Sequence, residues 1–156
     1  MAVRKGYYED AALPLLLEGI AIPSRDPMML RGYYARNQIM RDMTKRFLDH
    51  QLASGSQKRQ IVNLGAGFDS LFFHMQREGW SNGQVNYYEV DFLPVFQHKV
   101  KAIACHPELL QQLGPEATID AEKGTLHSPH YHVLPTDLRD IQHLQQQLIQ
   151  SGLDVQ

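Results

Sequence analysis

Short apolar runs and helical spacings alternate along this chain. Three apolar runs predict β-strands, at 61–64, 85–91 and 131–134. Apolar residues spaced three and four apart, together with capping and stop residues, predict helices before, between and after these strands. The helices are expected at 11–19, from 26 to about 52, and at 70–78, 94–104 and 141–150. The segment 107–125 shows no sustained period, and we interpret it as a loop with at most one helical turn at 108–113.

The order of these elements indicates the fold class. Two helices precede a series of β-α units, and such alternation predicts a parallel sheet with right-handed crossovers. A polar linker, Ala53–Arg59, is expected to join an N-terminal helical segment, 1–52, to nucleotide-binding β-α units at 60–156. A second turn, Ser81–Gly83, leads into the second strand. At 156 residues the chain is expected to form one α/β domain.

The stretch Gln60–Ser70 carries the strongest local signal. It passes from the first strand through Gly65-Ala66-Gly67 into a helix, and glycine at such a turn lets a ligand approach the main chain. A helix N-terminus after the turn presents free N–H groups to an anion. The second strand ends in Asp91, 26 residues after Gly65, where an acid can accept hydrogen bonds from a ribose. An ordinary tight turn remains the alternative for an isolated Gly-x-Gly.

The long helix that begins at Asp26 carries one charge within its apolar stripe. Asp26 followed by Pro27 is a favourable helix start, and we expect Arg36 to be the one charge directed at the interior. A buried guanidinium needs an anion. Two readings stay open: a structural ion pair or snorkelling side chain, or a clamp for a ligand carboxylate. The stripe consists of Met29, Tyr33, Met40, Met43 and Phe47.

A second acid, Asp137, follows the third strand. It is either a ligand-binding residue at a strand end or a cap of the helix that follows. Three histidines lie close to this strand, but no cysteine or acid stands near them at ligand spacing. We therefore expect no metal site and interpret them as surface or half-buried side chains. They are His127, His130 and His132.

Composition narrows the class of protein. Apolar residues make up 43% and charged residues 21%, which is typical of a globular chain. The net charge of −2 and the lack of a basic block argue against a nucleic-acid partner. Cys105 is the only cysteine, which favours a reducing compartment, the cytoplasm. No apolar run approaches the roughly 20 residues of a membrane span, and the first residues are unlike a signal peptide.

Taken in order, the motifs resemble those of the leucine carboxyl methyltransferases. The likeness covers nearly the whole chain. It implies an α/β fold with a Rossmann-like class I methyltransferase sheet, helices on both faces, and S-adenosylmethionine as cofactor. The matching motifs are Gly32–Arg36, Val62–Asp69, Tyr88–Phe92 and Asp137–Asp140, with Gly6–Asp10 as a further N-terminal element.

The resemblance also implies roles for five residues. Arg36 would hold the carboxylate of the methionine moiety, Gly65 would admit the cofactor, and Asp91 would bind the ribose hydroxyls. Asp137 and Leu138 would border the adenine. The implied substrate is the C-terminal leucine α-carboxylate of the protein phosphatase 2A catalytic subunit, which becomes a methyl ester. Since that carboxylate is ionised at neutral pH, we expect catalysis by positioning and no catalytic proton-transfer residue.

The sheet of the family is expected in the strand order 3-2-1-4-5, and this chain ends about where its fourth strand should begin. We therefore expect one incomplete methyltransferase domain, truncated after the third strand. Its first strand would be a bare edge, and the chain would be poorly soluble and weak or inactive. Two alternatives remain: a related branch that acts on the tRNA base wybutosine, and a non-catalytic remnant that binds a partner through its edge strand. The lack of a basic stripe argues against tRNA.

Overall fold

A computed structural model describes residues 2–53, 59–80 and 83–155, arranged around one open mixed sheet. The helices in these ranges are α1 (Leu13–Leu16), α2 (Pro27–Ala53), α3 (Leu71–Arg77), α4 (Leu93–Cys105), α5 (Pro107–Leu110) and α6 (Ile141–Gln150). The strands are β1 (Arg59–Leu64), β2 (Val85–Asp91), β3 (Thr118–Asp120), β4 (Thr125–His127) and β5 (Tyr131–Pro135). A 3-10 turn at Val3–Lys5 precedes them.

The sheet order is β1-β2-β5-β4-β3. β1 pairs parallel with β2, and β2 pairs parallel with β5. The parallel pairing predicted for the three strands is confirmed, and β1 lies at the edge of the sheet as expected. β3 and β4 extend the far side in antiparallel pairing. Because parallel strands point the same way, the carboxyl ends of β1, β2 and β5 meet along one edge.

Both faces of the sheet are covered at β2, whose successive side chains point to opposite faces and enter two different apolar clusters. On one face Tyr87 packs with Phe72 and Tyr131, and the rings of Phe72 and Tyr131 stack at 4.1 Å. On the other face Tyr88 packs against α6. The second cluster contains Tyr88, Val90, Leu134, Leu144 and Leu148.

Most predicted helix bounds are confirmed: α3 and α4 lie within one residue of prediction, and α6 matches it. The helix predicted at 11–19 is shortened to the single turn α1. The predicted linker and second turn fall partly at 54–58 and 81–82, which lie outside the described residues.

The segment 107–125 is only partly the loop that its sequence predicts. α5 is the expected helical turn, but the loop prediction is wrong for β3 and the start of β4. Strands of three residues are too short to show a period. Gly124 turns between them with φ 62°, and a Cβ there would stand 3.1 Å from the backbone nitrogen of Gln97 in α4. The absent side chain lets this hairpin approach α4.

Helix α2 is rotated about its axis relative to the prediction, so that a different face of the helix is buried. Asp26 caps it as expected and accepts a hydrogen bond from the Met28 amide at 2.8 Å. The predicted inward stripe is nevertheless 42% to 62% exposed, and Arg36 is exposed with it. The prediction that Arg36 is the interior charge is therefore wrong, because Arg41 is the buried one. The side chains that α2 buries most deeply are Leu30, Arg41 and Leu48.

An ion pair explains this roll. Arg41 Nη2 donates to Asp10 Oδ2 at 2.7 Å, and Arg41 Nη1 donates to the Glu9 carbonyl at 3.1 Å. The same Asp10 oxygen accepts a hydrogen bond from Ser70 Oγ at 2.6 Å. Leaving Asp10 buried without its cation would cost more than exposing apolar side chains. Turning Arg41 inward directs the apolar stripe outward, since the two lie on different faces of the helix.

Replacing Arg41 by Ala should lower the free energy of unfolding by about 3 to 5 kcal/mol, because Asp10 would stay buried without its cation. Urea unfolding followed by circular dichroism measures this. Arg46→Ala, at an exposed position of the same helix, is the matched control and should change stability by less than about 0.5 kcal/mol. Equal effects of the two substitutions would contradict the role given to the ion pair.

Candidate functional site

Backbone amides fix the turn Gly65–Gly67 at the end of β1. The amides of Gly65 and Ala66 both donate to the Val90 carbonyl, at 2.8 and 3.1 Å. The amide of Gly67 donates to Asp91 Oδ2 at 2.7 Å. The turn therefore folds over the end of β2, and the structure brings two predicted site residues, Gly65 and Asp91, together.

Gly65 leaves room above the turn. Its φ of 71° lies in the left-handed region that favours glycine. A Cβ built at this position would meet no heavy atom within 4 Å among the described residues. A ligand can therefore come within contact distance of the main chain at this point.

Asp91 is half-buried at the end of β2, and its carboxylate is oriented by two backbone amides. Oδ2 accepts from Gly67, and Oδ1 accepts from the amide of Phe92 at 2.7 Å. Each carboxylate oxygen has more than one acceptor site, so Asp91 keeps capacity for hydroxyl donors. Exposed apolar side chains lie at the ends of β1 and β2, with Leu64 56% and Phe92 50% exposed.

Asp137 follows β5 along the same edge, because the amide of Thr136 donates to the Asp91 carbonyl at 2.9 Å. Arg139 binds both carboxylate oxygens of Asp137, with Nε to Oδ1 at 2.9 Å and Nη2 to Oδ2 at 2.6 Å. These hydrogen bonds lower the pKa of Asp137 to about 2. The helix that follows is capped by Asp140, which accepts from the His143 amide at 3.0 Å.

Leu138 and Arg36 lie in different surroundings. Leu138 packs partly against the apolar cluster beneath α6. Arg36 is exposed, and no hydrogen bond or ion pair joins it to the strand ends within the described ranges. Arg41 lies five residues further along α2. Its guanidinium binds Asp10, and Asp10 in turn binds Ser70, three residues after the turn Gly65–Gly67. Five helical residues rise about 7.5 Å, so Arg36 lies at that axial distance from the residue that anchors α2.

A fully buried ion pair adjoins the turn. Lys99 of α4 and Glu89 of β2 are both 0% exposed and paired. Lys99 Nζ also donates to the carbonyl of Asp69 at 2.7 Å, and the Tyr131 hydroxyl donates to Glu89 Oε2 at 2.9 Å. Burial raises the pKa of Glu89 to about 7, although the Lys99 ammonium opposes the shift. Lys99, paired with Glu89, thus holds the Asp69 carbonyl.

The sequence predictions missed both buried ion pairs, although one had a signal. Glu89 lies in β2, which is buried on both faces, and Lys99 falls on the buried side of α4. A charge on either element needs a partner. Asp10 and Arg41 offered no comparable signal, because Arg41 lies off the apolar stripe of α2.

Two of the three histidines near β5, His127 and His132, pack against each other. His127 Nδ1 and His132 Nδ1 are 3.4 Å apart, and the His132 ring stacks on Tyr88 at 4.9 Å. Burial lowers the pKa of His132 to about 4, and the neighbouring histidines contribute to the same shift to a smaller extent.

The described part of the chain contains no group of three metal-ligating side chains placed to hold an ion. It also contains no helix with the length and apolar character needed to cross a membrane.

Residues 3–156 match the family described as leucine carboxyl methyltransferase, which confirms the resemblance. The chain is similar to the leucine carboxyl methyltransferase 1 homolog of Arabidopsis thaliana, with 37% identity over 98% of this chain and 44% of that protein. It is 30% identical to leucine carboxyl methyltransferase 1 of Rattus norvegicus, over 99% and 46%. It is 40% identical to tRNA wybutosine-synthesizing protein 4 of Rattus norvegicus, over 96% and 22%. The chain therefore spans less than half the length of these relatives.

Glu89→Gln should change how stability depends on pH. The pKa of Glu89 is about 7 in the folded chain against an ordinary 4.5. Between these two pH values the folded state therefore keeps a proton on Glu89 that the unfolded state has released. The resulting stability is present below pH 4.5 and is lost as pH rises through 7. Because glutamine does not titrate, the variant should gain about 3 kcal/mol relative to the native chain over this range.

Urea unfolding at several pH values between about 4.5 and 8 measures this difference. Glu78→Gln, at an exposed position, is the matched control and should run parallel to the native chain. A stability difference between Glu89→Gln and the native chain that is independent of pH would contradict the raised pKa.

Proposed function

Because this chain belongs to the leucine carboxyl methyltransferase family, we propose that it supplies cofactor-binding residues of an enzyme that methylates a leucine carboxylate. One observation carries the proposal: the turn Gly65–Gly67 is held against Asp91 where parallel strands end. Open α/β sheets bind nucleotides outside the carboxyl ends of their strands.

The residues at this edge fit S-adenosylmethionine. Open space above Gly65 admits a ligand to the main chain, and Asp91 would accept hydrogen bonds from the ribose hydroxyls. Leu138 would border the adenine, with Asp137 contributing mainly through its backbone because Arg139 occupies its carboxylate. The exposed ring of Phe92 adds apolar surface beside the site.

Arg36 would bind the carboxylate of the methionine moiety. Its guanidinium is exposed within an apolar stripe, and a guanidinium binds a carboxylate through two parallel hydrogen bonds. The contact that anchors α2 supports this role, because it joins Arg41 through Asp10 to Ser70, three residues after the turn Gly65–Gly67. Exposure of Arg36 removes the argument from burial, so the role now rests on the resemblance of the motif Gly32–Arg36 and on the accessible cation that a ligand clamp needs.

The reaction asks for positioning and not for proton transfer. When bound, S-adenosylmethionine would supply its sulfonium methyl group to a carboxylate oxygen of the acceptor, with S-adenosylhomocysteine as the leaving group. An α-carboxyl group has a pKa of about 3.5 and is ionised at neutral pH, so no residue has to act as a general base. Arg36, Gly65 and Asp91 would therefore contribute by holding the cofactor in line with the acceptor.

The proposed acceptor is the C-terminal leucine of the protein phosphatase 2A catalytic subunit. Support for a leucine carboxylate comes from the family and from the names of the relatives; the phosphatase comes from the resemblance of the motifs. Because the chain covers less than half of these relatives, we assign cofactor binding to its residues and methyl transfer to a protein of the relatives' length.

A second candidate function rests on the 40% identity to the rat tRNA wybutosine-synthesizing protein 4. Here the acceptor would be a tRNA base with a carboxylate side chain. The net charge of −2 favours the protein acceptor, because binding to the phosphate backbone depends on basic residues.

Calorimetric titration of S-adenosylhomocysteine into the chain tests cofactor binding. We expect a dissociation constant of about 1 μM, weakened about tenfold, or about 1.4 kcal/mol, by Arg36→Ala because a charge-assisted contact is lost. Arg46→Ala, another exposed cation of α2, is the matched control and should bind like the native chain. No heat from a folded native sample would contradict the proposed cofactor site.

A methyl-transfer assay separates the two acceptors. A peptide that ends in leucine should accept methyl groups from an enzyme of full family length, whereas the same peptide with a C-terminal amide should accept none, because it lacks the carboxylate nucleophile. Transfer to a wybutosine-precursor tRNA and not to the peptide would favour the second function.

A further inference from the structure

We propose that Lys99 and Glu89 are positioning residues for the cofactor turn. In this proposal Glu89 holds the Lys99 ammonium, and Lys99 holds the carbonyl of Asp69, so that the pair sets the geometry of the segment Gly65–Asp69. The inference rests on the proposed cofactor binding and names residues that lie behind the site, where they act through the turn.

The geometry places the ammonium at a junction of three elements. Lys99 comes from α4, Glu89 comes from β2, and Asp69 closes the turn segment after β1. An ammonium has three donors, and two of them are directed at Asp69 and Glu89. Because both ionic side chains are 0% exposed, water does not compete for them. The turn is therefore tied to two elements that are anchored elsewhere in the core.

Asp69 connects the Lys99 contact to the strand before the turn and to the helix after it. Besides its carbonyl, its carboxylate is held: Oδ1 accepts from the Leu71 amide at 2.6 Å and Oδ2 accepts from Asn63 Nδ2 at 3.2 Å. Asn63 belongs to β1 and Leu71 begins α3. Moving the Asp69 carbonyl would therefore disturb both the strand before the turn and the helix after it.

The strength with which Glu89 holds the Lys99 ammonium depends on whether the Glu89 carboxylate is protonated. Lys99 and Tyr131 both donate to Glu89 Oε2, whereas Oε1 is buried without a hydrogen-bond partner in the described part of the chain. Burial of the Glu89 carboxylate away from water disfavours its charged form, so protonation of Glu89 competes with the ion pair. The other ionisable groups that act on Glu89 or lie beside it are the Asp69 carboxylate and the Tyr87 hydroxyl.

The expected consequence is a pH profile of cofactor binding. As pH falls from about 8 to about 6, Glu89 takes up a proton and attracts Lys99 less strongly, because the ion pair becomes a neutral contact. The turn then loses part of its preorganisation, and binding to a less ordered turn is weaker. A purely structural ion pair would change stability without this profile.

The test uses S-adenosylhomocysteine titrations of the folded chain at about pH 6, 7 and 8. Lys99→Met should weaken binding about tenfold at pH 8. Glu89→Gln should bind more weakly than the native chain and show no pH step between 6 and 8. The matched control is Ile103→Ala, one turn along α4 and 0% exposed, which destabilises the core without touching the turn and should bind within about twofold of the native chain.

Amide hydrogen exchange of the free protein provides a readout that needs no cofactor. Lys99→Met should speed exchange at Gly65, Ala66 and Gly67, and Ile103→Ala should speed it less at these amides than elsewhere. If Lys99→Met does not fold, the double variant Lys99→Met/Glu89→Gln removes both buried charges and takes its place.

The outcomes separate the two proposals. A native chain that binds no S-adenosylhomocysteine overturns the proposed function, and faster exchange of the turn amides in Lys99→Met still supports positioning by Lys99. A Lys99→Met variant with native affinity and native exchange overturns the positioning role. Retention of the native pH step by Glu89→Gln overturns the role of Glu89.

Discussion

Parallel pairing between β1 and β2 is the constraint on which the candidate site depends. The register sets Leu64 opposite Val90, so the two strands end together. The chain must then reverse at once over the end of β2, and the first amides of the reversal find the Val90 carbonyl and the Asp91 carboxylate as acceptors. The arrangement of glycine turn and acid is therefore a product of strand register.

Two buried ion pairs converge on the junction between this turn and α3. Lys99 holds the Asp69 carbonyl, and Asp10, paired with Arg41, accepts from the Ser70 hydroxyl of the next residue. Burying ions is costly even when they are paired, so these pairs are poor candidates for stabilisation alone. Their shared effect is geometric, because the neighbouring residues Asp69 and Ser70 are held by α4 and by the N-terminal segment.

The parts of the fold that could be predicted from the sequence are those set by patterns among residues close together in the chain. The strand runs, the α3 and α4 periods and the β-α alternation depend on nearby residues. They led to the parallel strands and to the placement of the glycine turn at Gly65 beside Asp91. The roll of α2 depends on the contact of Arg41 with Asp10, 31 residues away. A single sequence does not reveal that contact, and the apolar stripe of α2 suggested the opposite face. β3 and β4 were missed because three residues carry no measurable alternation.

Gly65 and Gly124 share a left-handed backbone but differ in what surrounds them. A Cβ at Gly124 would stand 3.1 Å from the Gln97 nitrogen and 3.2 Å from the Phe96 carbonyl carbon, a crowded contact with the main chain of α4. A side chain at Gly65 would meet only open space among the described residues. Over evolution, drift at Gly124 is therefore opposed by its left-handed backbone and by the protein's own packing. Drift at Gly65 is opposed by its left-handed backbone, and a molecule bound in the space above it would add a second, independent constraint.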